Sequence, residues 1–375
     1  MKNRWQIKDL GEVCSFENGD RGENYPSKSV QSTYGIPFIN AGHLNEFGID
    51  FQKMNYIPEE RFELLGNGKI RRGDLLFCLR GSLGKVACVG DMSEGAIASS
   101  LIIVRPNETV LNSFLLAYFR SDLCSEMINH FKNGAAQPNL SAASLKKFKI
   151  PVPPLPEQKR IVEILDQAFD SIAKTKAIAE KNLQNAKGIF ESYLNEVFSK
   201  RGDGWVGTTI GEQITLQRGY DITKNQQQPG DVPVVSSGGI KSFHNKATAM
   251  APGVVIGRKG TLGKVFYLEE NFWPHDTTLW VKQFNRNEPR FVYYFFLGLD
   301  VTKLDSGTAN PALNRNQVHP IAVFWPSPRK QKEIITTLDL LSERTKKLQS
   351  IYQNKLTSLE ELKKSLLHQA FNGQL

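Results

Sequence analysis

Two short basic segments carry residue types that can grip a polyanion. Arg80-Gly81-Ser82-Leu83-Gly84-Lys85 and Lys259-Gly260-Thr261-Leu262-Gly263-Lys264 share one order of cation, glycine, hydroxyl, leucine, glycine and cation, 179 residues apart. Cationic heads and hydroxyls bind phosphate oxygens, which makes Arg80, Ser82, Lys85, Lys259, Thr261 and Lys264 candidate phosphate contacts. A plainer reading stands beside this one, in which the glycines specify a hairpin by adopting backbone angles that other residues avoid. Phosphate contacts set register and bring salt dependence, but they carry no base sequence.

If the polyanion were DNA, base reading would call for polar side chains at positions where two similar halves of the chain, aligned below, differ. In loop-like stretches that are not shared, these are Asn18, Arg21, Asn24, Lys28, His43 and Asn45 early in the chain, and Arg218, Tyr220, Lys224, Lys241, His244 and Asn245 later. Arg or Lys can pair with guanine and Asn or Gln with adenine in the major groove. Each is equally an ordinary solvated loop residue type, so the expectation attaches to the group. Gln137-Pro138-Asn139 and Asn310-Pro311 share a further position, where Gln137, Asn139 and Asn310 form either a structural turn or a contact with DNA or a partner.

Catalytic and metal patterns are not found. The four cysteines, Cys14, Cys78, Cys88 and Cys124, include no Cys-x-x-Cys pair, and the six histidines are scattered, so the thiols read as buried and free rather than as a zinc site. The nearest approach to a phosphate-binding Walker loop, 68–73, is followed by Asp74-Leu75 instead of Lys-Ser/Thr. Val152-Pro153-Pro154-Leu155 lacks the leading Asn/Asp and closing aromatic of an adenine methyltransferase tetrad. Glu157-Gln158-Lys159 and Glu361-Leu362-Lys363 mimic the tail of a nuclease motif, yet read as solvated faces of long helices. No catalytic residue is assigned.

A net charge of +9 and a pI near 9.2 imply a polyanionic partner, nucleic acid or acidic protein. Forty per cent hydrophobic and 23% charged residues describe a soluble globular chain, and no apolar run approaches the roughly 18 residues of a membrane span. Met1-Lys2-Asn3-Arg4 leads straight into a strand-like pattern without a signal-peptide core, so a cytoplasmic protein is expected.

The elements that must position these residues form an internal repeat. Trp5 to Glu12 aligns with Trp205 to Glu212 at an offset of 200, Ile36-Pro37-Phe38 with Val232-Pro233-Val234 at 196, and Ser99-Ser100-Leu101 with Thr277-Thr278-Leu279 at 178. The segment beginning at Gly134 meets the one beginning at Gly307 at 173. The offset falls steadily, as it does when loops are shortened in a second copy of one domain. Short apolar runs such as Leu75-Leu76-Phe77-Cys78, Leu101-Ile102-Ile103-Val104 and Val254-Val255-Ile256, bounded by Gly or Pro, read as strands. One helix per copy is expected, over 112–131 and 289–299, giving α+β domains of mixed β with a few helices.

Each copy closes on a long helix. Ile161, Leu165, Ala168, Ile172, Ala179, Leu183, Ala186, Phe190, Leu194 and Val197 recur at helical spacing, and a helix over 157–198 would be about 63 Å long. Ile334, Leu338, Leu341, Leu348, Tyr352, Leu356, Leu359, Leu362 and Leu366 repeat the stripe, which suggests that the two helices form one coiled coil. Ser327 reads as an N-cap with Pro328 in the first turn, and Gly202 and Gly373 as C-terminal caps. The expected division is 1–152, 153–200, 201–325 and 326–375, domain and helix alternating.

In this order and twice over, the Gly-Asp-Leu-Leu-Phe run from Gly73, Arg-Gly-Ser-Leu-Gly-Lys, Gly-Ala-Ala-Gln-Pro-Asn-Leu and Pro-Leu-Pro-Glu-Gln-Lys-Arg-Ile before a long helix resemble the specificity subunit of a Type I restriction-modification enzyme, across essentially the whole chain. The second copy keeps only part of the Gln-Pro-Asn pattern, and has Arg329-Lys330-Gln331-Lys332 where the first has Pro-Glu-Gln-Lys. The resemblance implies a chain without catalysis of its own, with two target recognition domains in a pseudo-twofold repeat, separated by an antiparallel two-helix coiled coil. Each domain would read one half of a split, asymmetric sequence in double-stranded DNA, with the coil as ruler. Two methyltransferase subunits would dock and methylate adenine with S-adenosylmethionine, and two motor-nuclease subunits can join for restriction with ATP and Mg²⁺. No cofactor is implied for this chain. Two other classes stand as alternatives: a coiled-coil scaffold whose basic surface binds protein, and a stand-alone methyltransferase or nuclease.

Overall fold

The computed structural model describes residues 5–45, 48–134, 138–200, 202, 204–299 and 312–375. Two compact units emerge, Met1–Ile178 with Lys355–Leu375, and Ala179–Asn354. The boundaries cut through both long helices, Leu155–Ser199 and Pro328–Phe371, so each unit holds part of each. The first helix, at 45 residues, is about 67 Å long.

The first unit is built on a four-stranded antiparallel sheet in the order Cys14–Asn18, Leu101–Pro106, Leu75–Cys78, Val86–Cys88. The second repeats it with Thr215–Arg218, Thr278–Gln283, Gly253–Gly257 and Val265–Leu268. Each unit adds a three-stranded sheet with one antiparallel and one parallel neighbour about a central strand. These are Asn55–Ile57, Ile36–Ile39 and Ala96–Ile97 in the first, and Gly239–His244, Val232–Ser236 and Trp273–Pro274 in the second. A two-stranded ribbon then delivers the chain to its long helix, Gln6–Asp9 with Lys149–Val152 and Trp205–Thr209 with Ala322–Pro326. Order and sense are the same in both copies, so the repeat read from the sequence is a repeat of topology.

The apolar runs are continuous because the four-stranded sheet is covered on both faces. Leu75, Phe77, Ile102 and Val104 pack on Phe114, Tyr118, Ile161, Leu165 and Phe371, whereas the alternate residues Leu76, Cys78, Leu101 and Ile103 pack on Ile39, Leu44 and Ile97. In the second unit Val254, Ile256, Leu279 and Val281 face Phe291, Phe295, Leu194, Ile334 and Leu338, while Val255 and Trp280 face Val235 and Phe272. Thus the long helices are core elements of the units themselves. Within the first unit Lys363 lies over Phe169 and Lys176 pairs with Glu360 at 2.6 Å, so the two helices run antiparallel there.

The structure departs from the expected elements at several points. The helix over 112–131 is two, Asn112–Phe119 and Asp122–Phe131, because Ser121 caps the second by accepting from the Cys124 N–H. In the second stripe Leu348 and Leu362 are 38% and 47% exposed, while Thr345, Leu367 and Ala370 are buried in their stead. Gly373 has φ +67°, the left-handed geometry of a helix stop, but Gly202 does not; Gly204 does, at +79°. Ser327 Oγ accepts from the Lys330 N–H at 3.4 Å and caps a helix that begins at Pro328.

Candidate nucleic-acid interface

In each unit three chain segments meet at one end of the four-stranded sheet. Gly19 or Gly219 directly follows the first strand, and a Cβ there would lie 2.7 Å from the Ile97 and Ala98 carbonyls in one unit and 2.1 Å from that of His275 in the other. Glycine is required for the strand end to cross that turn. The same turn receives the edge of the glycine-rich loop, through Leu79 N–H to Ser100 O (2.9 Å) and Arg258 N–H to Thr277 O (2.9 Å). A third segment in each unit closes the group, with Leu140 N–H donating to Leu79 O at 2.9 Å and Leu313 N–H to Arg258 O at 3.0 Å.

The glycine-rich loops are twins. Cys78 and Gly257 donate to the Lys85 and Lys264 carbonyls, each at 2.8 Å, and Gly84 and Gly263 donate back to Cys78 O and Gly257 O. Gly81, Gly84, Gly260 and Gly263 have φ between +76° and +80°, which supports the hairpin reading of the glycines. Arg80, Ser82, Lys259 and Thr261 are exposed at the tip. Lys85 lines a cavity of about 590 Å³ with Arg120 and Lys363, and Lys264 donates to Gly238 O at 3.3 Å and sits 5.2 Å over Phe266.

The three segments form one ledge in each unit, and the side chains on the two ledges differ. In the first unit Asn18 is exposed, Arg21 Nη2 donates to Ser99 O at 3.4 Å, and Arg80 is bridged to Asn139 through the backbone. In the second, Arg218 pairs with Asp276 at 3.2 Å, and Tyr220 accepts from Gln217 Nε2 at 2.8 Å and meets Trp273 edge to face. Arg258, absent from the sequence-based candidates, donates from Nη1 to Asp276 O at 3.4 Å. Burial, and then the neighbouring Arg218 charge, pull Arg258 below the usual guanidinium range. A concavity of about 610 Å³ is lined by Arg218, Tyr220, Asp221, Arg258 and Arg315.

The remaining base-reading candidates lie elsewhere. His43 and His244 are 5% and 7% exposed, and their Nδ1 atoms accept from the Asn40 and Gln228 N–H groups, so both rings are buried and hold the backbone of their own loops. Burial lowers the His43 pKa, against the opposing effects of Lys53 and Asp50. Asn24 donates to Leu64 O and Asn245 to Gln228 Oε1, while Lys28, Asn45 and Lys241 are exposed on other loops and short strands and Lys224 is exposed at the start of a short 3-10 helix, Lys224–Gln226. Gln137 and Asn310 lie outside the described residues.

Glu157-Gln158-Lys159 is not a wholly solvated helix face, because Gln158 is fully buried. Its Oε1 accepts from Leu111 N–H at 2.8 Å and its Nε2 donates to the Thr109 and Pro153 carbonyls. Gln331 does the same in the second unit, accepting from Glu288 N–H at 2.9 Å and donating to Asn287 Oδ1 and Pro326 O. These glutamines latch each long helix to its own domain. The repeated Gln in the two Pro-rich helix entries was the available signal.

Cys14, Cys78 and Cys124 are buried free thiols, and burial pushes Cys14 up to about 12. Asp221, His275 and Asp276 are the one group among the described residues with metal-ligand spacing, but Asp276 is already paired with Arg218 and His275. No described helix is long and apolar enough to cross a membrane.

A family model described as the type I restriction modification DNA specificity domain matches residues 2–182 and again 202–358. The type I restriction enzyme EcoKI specificity subunit of Escherichia coli is 22% identical over 99% of this chain and 89% of its own length. The fold matches a chain solved in a study of complex assembly and conformational transition of the type I R-M system, with a TM-score of 0.84 at 17% identity over 100% of this chain and 99% of that one. It also matches the HsdS subunit from Thermoanaerobacter tengcongensis, with a TM-score of 0.66 at 17% identity over 100% and 98%.

Proposed function

The chain belongs to the type I restriction-modification DNA specificity family, and on that premise we propose that each ledge reads one half of a bipartite target in double-stranded DNA. The observation that carries this reading is the pairing of one scaffold with two different sets of side chains. The glycine-rich hairpin and its exposed cation, Arg80 or Lys259, recur in both units, as a sequence-independent phosphate grip would. Asn18 and Arg21 on one ledge, and Arg218 and Tyr220 on the other, differ as readers of different bases would.

The chain chooses the site and its partners do the chemistry. Two methyltransferase subunits bring S-adenosylmethionine and methylate a flipped adenine in each half-site, and two motor-nuclease subunits bring ATP and Mg²⁺. The paired helices set the number of unread base pairs between the halves. Adenine methylation mapped in a host expressing this chain with its methyltransferase tests the reading. One split motif is expected, and replacing 205–324 with the matching segment of another family member should change one half of it. Loss of both halves, with the hybrid folded, would overturn independent reading.

A further inference from the structure

The second ledge carries an arrangement that the first does not. Arg218 is held at one nitrogen by the Asp276 carboxylate, 3.2 Å away, while 56% of its side chain stays exposed. Arg258 is anchored to the backbone carbonyl of the same aspartate. An arginine braced in this way has already lost rotamer freedom, and the rest of its planar fork remains open to a ligand. Both arginines open onto the same concavity as Asp221.

In the first unit Asn18 and Leu79 occupy the positions of Arg218 and Arg258, immediately before the crossing glycine and opposite the Leu140 or Leu313 amide. A phosphate grip would be common to both copies, whereas this pair is a difference between them. Sequence discrimination must reside in such differences. Guanine offers two acceptors, N7 and O6, at the spacing of an arginine fork, and cytosine offers an N4 amino group to a carboxylate.

Resting on the DNA-reading function above, we infer that Arg218 and Arg258, braced by Asp276, read the guanine of a G·C pair in the half-site of the second unit, with Asp221 facing the paired cytosine. The test uses the full chain in complex with its methyltransferase, selecting duplexes from a randomised library at two salt concentrations, with Arg258→Leu, Arg218→Asn and Arg258→Lys. The first two install the residues of the first unit. Both should lower the preference for one G·C pair in one half-site by about 10- to 100-fold and leave the other half-site unchanged.

Arg258→Lys keeps the charge without the fork. It should lose the same preference with the salt slope intact, and it decides the matter if Arg258→Leu melts early. Unchanged preference in all three variants, or uniform weakening on every sequence with a shallower salt slope, would overturn the assignment. Selection of no split motif by the unaltered complex would instead overturn the function on which it rests.

Discussion

At the scale of single residues, charge identity matters less than what each charge already holds. Arg80 and Lys259 stand exposed at the hairpin tips, whereas Lys264 is engaged with Gly238 and the Phe266 ring. Arg80→Ala and Lys259→Ala should each weaken DNA binding equally on all sequences and lower the slope of log K against log salt by about 0.9, while Lys264→Ala leaves that slope unchanged. A titration series in salt measures all three. Glu17 shares Arg105 with Asp74. Burial pushes its carboxyl up, but hydrogen bonds from Arg105 and Gly68 outweigh burial and hold it below the usual range. A lowered carboxylate stabilises the fold above its unfolded pKa, about 4.3, and that stability is lost as pH falls through the folded value. Thermal melts of Glu17→Gln should therefore show a shallower decline below about pH 4.5 than the unaltered chain. The hairpin glycines were legible because positive φ leaves a mark in sequence. His43, His244 and Arg258 were not, because a polar side chain reads the same whether it meets solvent, a backbone amide or another arginine.

Among elements, the long helices join the domains by more than an apolar stripe. Gln158 and Gln331 each satisfy three backbone or side-chain groups at the point where the ribbon becomes helix. Replacing Gln331 with Leu removes the side-chain acceptor of the Glu288 N–H and a donor to the Pro326 carbonyl and should cost about 3 kcal/mol in urea unfolding, as should Gln158→Leu. Gln167→Leu, on an exposed position of the same helix, should stay within about 0.5 kcal/mol. Equal effects at 158 and 167 would remove the latch. Both long helices and the strand runs could be read in advance, since a 3.6-residue stripe and Gly-bounded apolar runs are local signals. The break at Ser121 was hidden by apolar residues continuing on either side of it, and only the side chain turning back to Cys124 creates the cap. Leu348 and Leu362 were misassigned because a stripe extrapolated over 44 residues drifts from the face that is actually buried.

For the whole molecule, the proposed ruler would make spacing a separable property. Each unit packs its own parts of the two helices into its own core, around Ile161, Leu165 and Phe371 in one and Leu194, Ile334 and Leu338 in the other. Residues added to the helices between those anchor points therefore leave both cores and both ledges as they are. Seven residues inserted after Ala179 and seven after Asn354 lengthen each helix by about 10.5 Å and nearly preserve the phase of the buried stripe. At about 3.4 Å per base pair this corresponds to about three more unread positions. Methylation mapping should then find both half-sites unchanged and the gap widened by about three base pairs. A changed half-site would mean that the helices take part in reading, and an unchanged gap would mean that something other than helix length sets the distance.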